Sequence, residues 1–535
     1  MIKIKCALFL LLITSFFSSF LICMNDDLSF TFDDIFVNEK EEEPTDDSFI
    51  NSDEAKRAIE LHQVDPLTAC DVVTLITNPP IEAQIVLQED LYLHTNPNNS
   101  RSLLNLPGFY HHYFYPCENY FWTQLFYNQT SNGYYTKEST QLKSYILLNN
   151  PNLIRRIEEF EIEVNVPDVL AIFSNMKLQE RRLGLMFGIQ HVWGCNWHVR
   201  AYAPWYYLER NLSLTDEEQI LLERAGVPPQ DDPMDFARKH VIIDKLGVGD
   251  TRIELGYMPY QTDYAFARIG GLFTIPTAFA WKQGLYGTHF SKTTPAPNFN
   301  LLNFINTILV DKDIPRAIEE GTEFLIAAVD RLSTIVLETG MGNEGHFGLG
   351  IFADQQLELS NCWTLRSKSS LEYITPRKEK RFYIMHKDPA EFDRDYTSTN
   401  PIVCQENLNF LNQQLIETLF PTMYETHISP GFIFIWNTSL TYHGKTFDFQ
   451  FGYDLYWQDK EKLGTINATA AQIARLRKEI AIKPCAYQSK LFGDLIYKKQ
   501  GTCRDYYIGF HLDATILSTG IGKDFTGALY FDMTI

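Results

Sequence analysis

The stretch 446–457, TFDFQFGYDLYW, places Phe447, Phe449, Phe451, Tyr453, Leu455 and Trp457 on one parity and Asp448, Gln450, Gly452 and Asp454 on the other. Side chains of a strand alternate between two faces, so this pattern predicts a strand with one bulky apolar face and one polar or small face. The alternation recurs along the chain. It is found in Leu183, Leu185, Phe187 and Ile189; in Trp197, Val199, Ala201, Ala203, Trp205 and Tyr207; in Ile253, Leu255 and Tyr257; and in Ala265 through Ile275. It returns at 347–353, 361–374, 432–442 and 508–516, and in the final TGALYFDMTI, where Gly527, Leu529, Phe531, Met533 and Ile535 share a parity. Weaker candidates at 119–127, 166–175, 376–386 and 484–498 bring the expected total to about twelve to fourteen strands.

Helical periodicity appears between some of these strands, at 215–226, 233–245, 315–338, 405–420 and 468–480. These inserts are too long for tight turns, so one end of the molecule is expected to carry elaborate loops.

Which medium the apolar face touches is decided by what surrounds the pattern. The opening MIKIKCALFLLLITSFFSSFLIC has two lysines followed by an apolar run ending near Cys23, the layout of a secretory signal peptide. Beyond it no run of about 18 uncharged apolar residues follows, and FLIAAVDRLSTIVLE is interrupted by Asp330 and Arg331. All eight tryptophans lie in or beside candidate strands, several at strand ends, as aromatic girdles at two interfaces require. The opposite face is mixed polar, small and glycine-rich. Together these features point to lipid rather than a protein core. An open sheet edge in lipid would leave backbone donors and acceptors unpaired, so the strands must close on themselves.

The layout resembles bacterial outer-membrane β-barrel proteins of the porin-like kind, in particular large barrels with helical inserts. The resemblance spans about 119–535 and is carried by KTFDFQFGYDLYW, by GDTRIELGYMPYQTDYAFARIGGLFTIPT and by the alternating last strand. It implies an all-β dominated fold, a closed antiparallel transmembrane β-barrel with several helical loop inserts, placed in the bacterial outer membrane by the barrel assembly machinery. Such proteins usually end in an aromatic residue; this chain ends in Ile535, with Phe531 on the same face. The expected organisation is a signal peptide (1–23), an acidic segment (24–54), an N-terminal extension (55–118) and the barrel (119–535).

Charge and cysteine change this picture little. The formal net charge is −21. Residues 24–54 contribute much of it, and a like-charge block of this kind reads as a solvated linker. So acidic a chain is not expected to bind nucleic acid. Outside the leader, the cysteines stand at 70, 117, 195, 362, 404, 485 and 503, with no metal-ligand spacing. Cys485 and Cys503 are close enough in sequence to close a disulfide in an oxidising compartment.

Candidate chemistry follows from the faces. Arg200, Arg252, Glu254, Arg268, Asp448, Gln450, Asp454, His511, Asp513 and Asp532 fall on the polar parity and are expected to line the lumen, where charge sets selectivity. Phe447, Phe449, Phe451, Leu529 and Phe531 are expected to face lipid. GMGNEG at 340–345 matches GxGxxG in letters, but a helix precedes it and a strand follows, so it reads as a loop entering a strand. HHYFYP at 111–116 reads as part of an aromatic rim. His511 and Asp513 share a face, yet no serine nucleophile accompanies them, so they read as a polar network rather than a catalytic pair. No catalytic group, metal or cofactor is expected. The expected function is porin-like diffusion of small solutes, with a surface adhesin acting through its loops, or a barrel hydrolase, as alternatives.

Overall fold

The computed structural model describes residues 68–71, 73, 100–110, 118–132, 177–194, 196–213, 238–262, 264–288, 296–385, 394–395, 397–499 and 504–535. The expected signal peptide, acidic segment, helix at 215–226, strand at 166–175 and aromatic cluster at 111–116 lie outside the described residues.

The strands are β1 (Tyr120–Asn132), β2 (Lys177–Trp193), β3 (Trp197–Ser213), β4 (Ile242–Val248), β5 (Thr251–Thr262), β6 (Ala265–Ile275), β7 (Phe279–Gln283), β8 (Gly348–Ser360), β9 (Trp363–Ile374), β10 (Arg377–Tyr383), β11 (Thr422–Ser429), β12 (Gly431–His443), β13 (Phe447–Gln458), β14 (Lys462–Ile466), β15 (Ala486–Lys499), β16 (Tyr506–Thr519) and β17 (Lys523–Thr534). The helices are α1 (Pro107–Tyr110), α2 (Leu301–Leu309), α3 (Ile314–Leu337), α4 (Pro401–Leu419) and α5 (Ala470–Arg475).

Fourteen strands share one sheet in the order β2-β1-β17-β16-β15-β13-β12-β9-β8-β6-β5-β3-β4-β7, and a further pairing of β2 with β3 closes it. With β4 and β7 standing outside the ring, twelve antiparallel strands form a closed barrel. Its seam joins the first strand to the last, Tyr120 opposite Thr534. The two rims differ. At one, which we call the near rim, hairpins turn within a few residues, between Trp193 and Trp197, Thr262 and Ala265, and Ser360 and Trp363. The far rim carries the inserts. They hold α2 and α3 between β6 and β8, α4 between β9 and β12, α5 between β13 and β15, and a separate small sheet β10-β11-β14.

Local chemistry fixes the helix starts. The Asp313 side chain accepts from the Arg316 backbone N–H at the start of α3, and Thr469 with Gln472 forms a capping box on α5. The helix expected at 233–245 stops early: residues 238–240 are helical, and from Ile242 the chain is β4, which pairs with the far half of β3. Ile242, Ile243 and Asp244 are buried in succession there, a run that carries no parity signal. Of the suggested pair Cys485 and Cys503, Cys503 lies outside the described residues and Cys485 is a free, exposed thiol; among the described residues a bridge joins Cys70 to Cys404 of α4. Among the described residues no helix is long and apolar enough to cross a membrane.

The strand faces separate as the parity requires. Phe449 is 55% exposed, Phe451 62% and Leu529 54%, all on the outer wall with Phe447, while Phe531 is half-buried beside Tyr506. Aromatic pairs ring the outside at both rims. Trp197–Tyr257 (4.9 Å) and Trp363–Tyr442 (5.1 Å) lie at the near rim, Trp205–Trp281 (5.8 Å) and Tyr373–Phe432 (5.1 Å) at the far one. Trp122 lies in β1 but belongs to neither girdle. It points inward, fully buried, with its ring 5.8 Å from Tyr202 and beneath the Arg200 guanidinium.

Candidate functional site: a strapped and charged lumen

A short segment of the chain occupies the barrel interior. Residues 100–110, SRSLLNLPGFY, form a single 3-10 turn at Leu103–Asn105 and then α1. Leu103, Leu104, Leu106 and Phe109 are each buried to within a few per cent. Polar bonds tie this strap to strands around the ring. Arg101 forms a buried ion pair with Asp454 of β13, its Nη2 3.1 Å from Oδ1. Arg182 of β2 donates to the Arg101 carbonyl (2.7 Å), and Arg252 of β5 to the Leu104 carbonyl (2.9 Å). Lower down, Phe109 meets Phe126 of β1 edge-on at 4.9 Å. Gly108 lies against His511 of β16 so closely that a Cβ would stand 2.6 Å from the imidazole ring, which is why a glycine is required there.

The expected lumen residues are all on the interior face and all buried. Glu254 receives two bonds from Lys368 Nζ (2.9 and 3.0 Å) and one from the Tyr202 hydroxyl (3.2 Å). Arg252 bonds Glu372 at 2.6 Å. Arg268 and Arg366 grip Asp354 from two strands. Asp448 is held by His443 (3.0 Å) and Lys498 (2.7 Å), and Gln450 donates to Ser439 (2.8 Å). The imidazole of His511 bridges Asp494 (2.8 Å) and Asp513 (3.1 Å), and Asp513 also meets Lys490 (2.8 Å). The His511–Asp513 bond, across two positions of one strand, is made because Asp494 on β15 anchors the other ring nitrogen. Buried charges persist where partners and hydrogen bonds surround them, and here the pairs Lys368–Glu254, Arg252–Glu372 and Lys490–Asp513 each join two strands.

Arg200 and Asp532 stand apart from this pairing. The Arg200 guanidinium lies over Trp122 (5.3 Å) and Tyr202 (5.1 Å), and its Nε and Nη2 lack hydrogen-bond partners among the described residues, as do both Asp532 oxygens and the Tyr120 hydroxyl. All three side chains are buried in the half of the barrel next to the near rim.

At the far rim a cavity of about 160 Å³ opens between the strap and the inserts. Ser100, Leu104 and Asn105 line it from the strap, Met341 and Asn343 from the loop before β8, Glu379 from β10, and Glu461 and Lys483 from the β13–β15 insert. The loop 340–345 follows α3 and leads into β8, with Glu344 and Gly345 at positive φ, a loop entering a strand as the sequence pattern predicts. His346 closes its base: Nδ1–H donates to the Thr375 carbonyl (2.6 Å) and Nε2 faces the Glu379 carboxylate. Burial disfavours the imidazolium, but the Glu379 contact and the Thr375 bond outweigh it and raise the His346 pKa above its usual 6.5. A raised histidine pKa contributes stability that is complete below about pH 6.5 and is lost as pH rises through the folded value. Hydrogen exchange in residues 340–347 is therefore expected to speed up as pH rises through that window, beyond the intrinsic rate. His346→Gln should remove this excess; an unchanged excess would place the titration elsewhere.

The sequence missed much of this network. Asp354, Arg366, Lys368, Glu372, Lys490, Asp494 and Asp524 all lie on interior parities of strands that the pattern does mark, and that parity was the available signal. The strap offered none, because LLNLPGF has neither helical nor strand periodicity.

No family model matches the chain, and no curated protein sequence does. Among solved structures it is similar to an outer membrane channel from Pseudomonas putida F1, at 7% identity and TM-score 0.38, over 79% of this chain and 97% of that one. It is also similar to the toluene transporter TbuX of Ralstonia pickettii (7% identity, TM-score 0.28, 84% and 93% covered). A third is the translocator domain of the autotransporter NalP from Neisseria meningitidis (6%, TM-score 0.27, 79% and 89%). Identities this low transfer no function. By its own strand pairing the chain is a closed, twelve-stranded antiparallel β-barrel of the architecture used by bacterial outer-membrane proteins.

Proposed function

We propose that the protein is an outer-membrane channel for small solutes whose passage is occupied, in the state described, by residues 100–110. The observation that carries this reading is the inverted distribution of side chains. Large apolar residues such as Ile351 (66% exposed), Phe451 and Leu529 cover the outer wall, while arginines, lysines and carboxylates fill the interior. A protein folding in water gains by the opposite arrangement; lipid outside and a polar lumen account for this one. Aromatic pairs at both rims fit two membrane interfaces. The unpartnered atoms of Arg200, Asp532 and Tyr120 support a lumen that water or solute enters from the near rim, since buried polar groups are normally satisfied. Outer-membrane lipid and the barrel assembly machinery are the partners this reading requires.

The test is ion conductance of the purified chain in planar bilayers, read together with the wall. Phe451→Arg and Leu529→Arg are expected to destabilise the assembled barrel by about 2–4 kcal/mol when the arginine meets mid-bilayer, lowering the temperature at which heat-modifiable gel mobility is lost. Phe451→Leu should be close to neutral. Equal tolerance of all three would remove lipid from the outer wall, and a folded barrel that never conducts, with or without its strap, would end the channel reading.

A further inference from the structure

We infer that the barrel holds its own chain threaded through the lumen, so that residues 68–71 and 73 are held at the far rim while β1 begins at the near one. This rests on the membrane placement proposed above. Three described pieces fix the path. Residues 68–73 pack on the far-rim inserts, where Ala69 and Val73 form a buried cluster with Cys404 and Leu408 of α4, and Cys70 is bonded to Cys404. Ser100 and Arg101 are at the far-rim half of the interior, among the residues of the cavity there and next to Arg182. Gly108 and Phe109 have descended to His511 and Phe126, which lie five and six positions in from the near-rim ends of β16 and β1. Glu118 and Asn119 are at the near rim itself: the Glu118 carbonyl accepts from Gln190, and the Asn119 side chain accepts from the Val192 backbone N–H.

The direction matters because the two rims face different compartments. Outer-membrane barrels set short turns towards the periplasm and long loops towards the exterior. By that rule the near rim is periplasmic and residues 68–73 are outside the cell, fastened to a surface helix. Threading also constrains assembly. The strap fills the interior with fully buried leucines, so the preceding residues cannot be drawn through a finished ring without dislodging it. The β1–β17 seam must then close around a strap already in place.

Two of the described cysteines are free and exposed and report the sides: Cys362 in the near-rim turn between β8 and β9, and Cys485 at the far rim, just before β15. The experiment treats intact cells with a maleimide carried on a polymer too large to cross the outer membrane, and maps labelled cysteines by peptide mass. The chain carries Thr68→Cys, with Cys70→Ser and Cys404→Ser to prevent exchange. Labelling at positions 68 and 485 in intact cells, with position 362 labelled only after lysis, is the expected result. Labelling at 485 but not at 68 until lysis would overturn the threading while leaving the membrane placement intact. Native cysteines 362 and 485 that label alike would overturn the placement itself. A second variant keeps the native disulfide: Gly108→Cys with His511→Cys should cross-link strap to wall on oxidation, since a Cβ at 108 would stand 3.2 Å from His511 Cγ, the atom bonded to the His511 Cβ, and failure to do so in a heat-modifiable barrel would overturn the strap's position.

Discussion

Loosening the strap is expected to turn a closed barrel into a conducting one. Phe109 and Leu104 are two of the four buried apolar anchors of residues 100–110, whose side chains owe nothing to ion pairing. Truncating a buried Phe or Leu to Ala costs about 2–5 kcal/mol, as lost transfer energy and a cavity together. The penalty falls only on the strapped state if the strap is solvated when displaced, so Phe109→Ala should favour the displaced state by roughly 100-fold, at about 1.4 kcal/mol per tenfold. Phe109→Ala with Leu104→Ala should leave the lumen open for most of a bilayer recording. The predicted signature is a new, long-lived conductance level without loss of heat-modifiable mobility. The Gly108→Cys, His511→Cys cross-link should then close the variant again on oxidation. A double variant with the conductance of the parent chain, open or cross-linked, would mean that the strap does not gate. The salt-bridged side chains themselves would then block the passage.

How much of this was legible in the sequence depends on the range over which each feature is determined. The wall was legible because a strand's two faces are set by adjacent positions, and the alternation at 447–457 places Asp448, Gln450 and Asp454 inside without any knowledge of neighbours. Where that local rule is broken the reading falters. In YFWTQLFY, β1 carries Tyr120, Trp122 and Phe126 inward but Phe121 and Tyr127 on the other parity, so parity could not sort its aromatics. The partners of the interior charges were not legible at all. Asp454 meets Arg101 across 353 positions and Cys70 meets Cys404 across 334, pairings that follow from ring closure and the path of the strap rather than from spacing. A charged residue on a polar parity is visible in one dimension; whether it lines water or completes an ion pair is decided by strands far apart in sequence.

That distinction can be measured at Asp354. Its carboxylate is fully buried between Arg268 of β6 and Arg366 of β9, with Arg366 Nε 3.0 Å from one oxygen and Nη2 2.8 Å from the other. If the site is dry, Asp354→Ala takes from two buried guanidinium groups the carboxylate they share, and breaking a buried pair in this way costs about 3–5 kcal/mol. The effect should exceed that of any single outer-wall substitution by an apolar residue, and it should appear as a lower urea concentration for loss of heat-modifiable mobility. Removing all three charges together, with Asp354→Leu, Arg268→Leu and Arg366→Met, should recover much of the loss, because the desolvation of each ion disappears along with its partner. If water reaches the triad, screening shrinks the single-variant cost to that of an exposed pair, about 0–1 kcal/mol, and the triple variant gains nothing. In that case ion selectivity should respond to Asp354→Ala while stability does not. The path of the solute would then run past Arg268 and Arg366 as well as past Arg200 and Asp532.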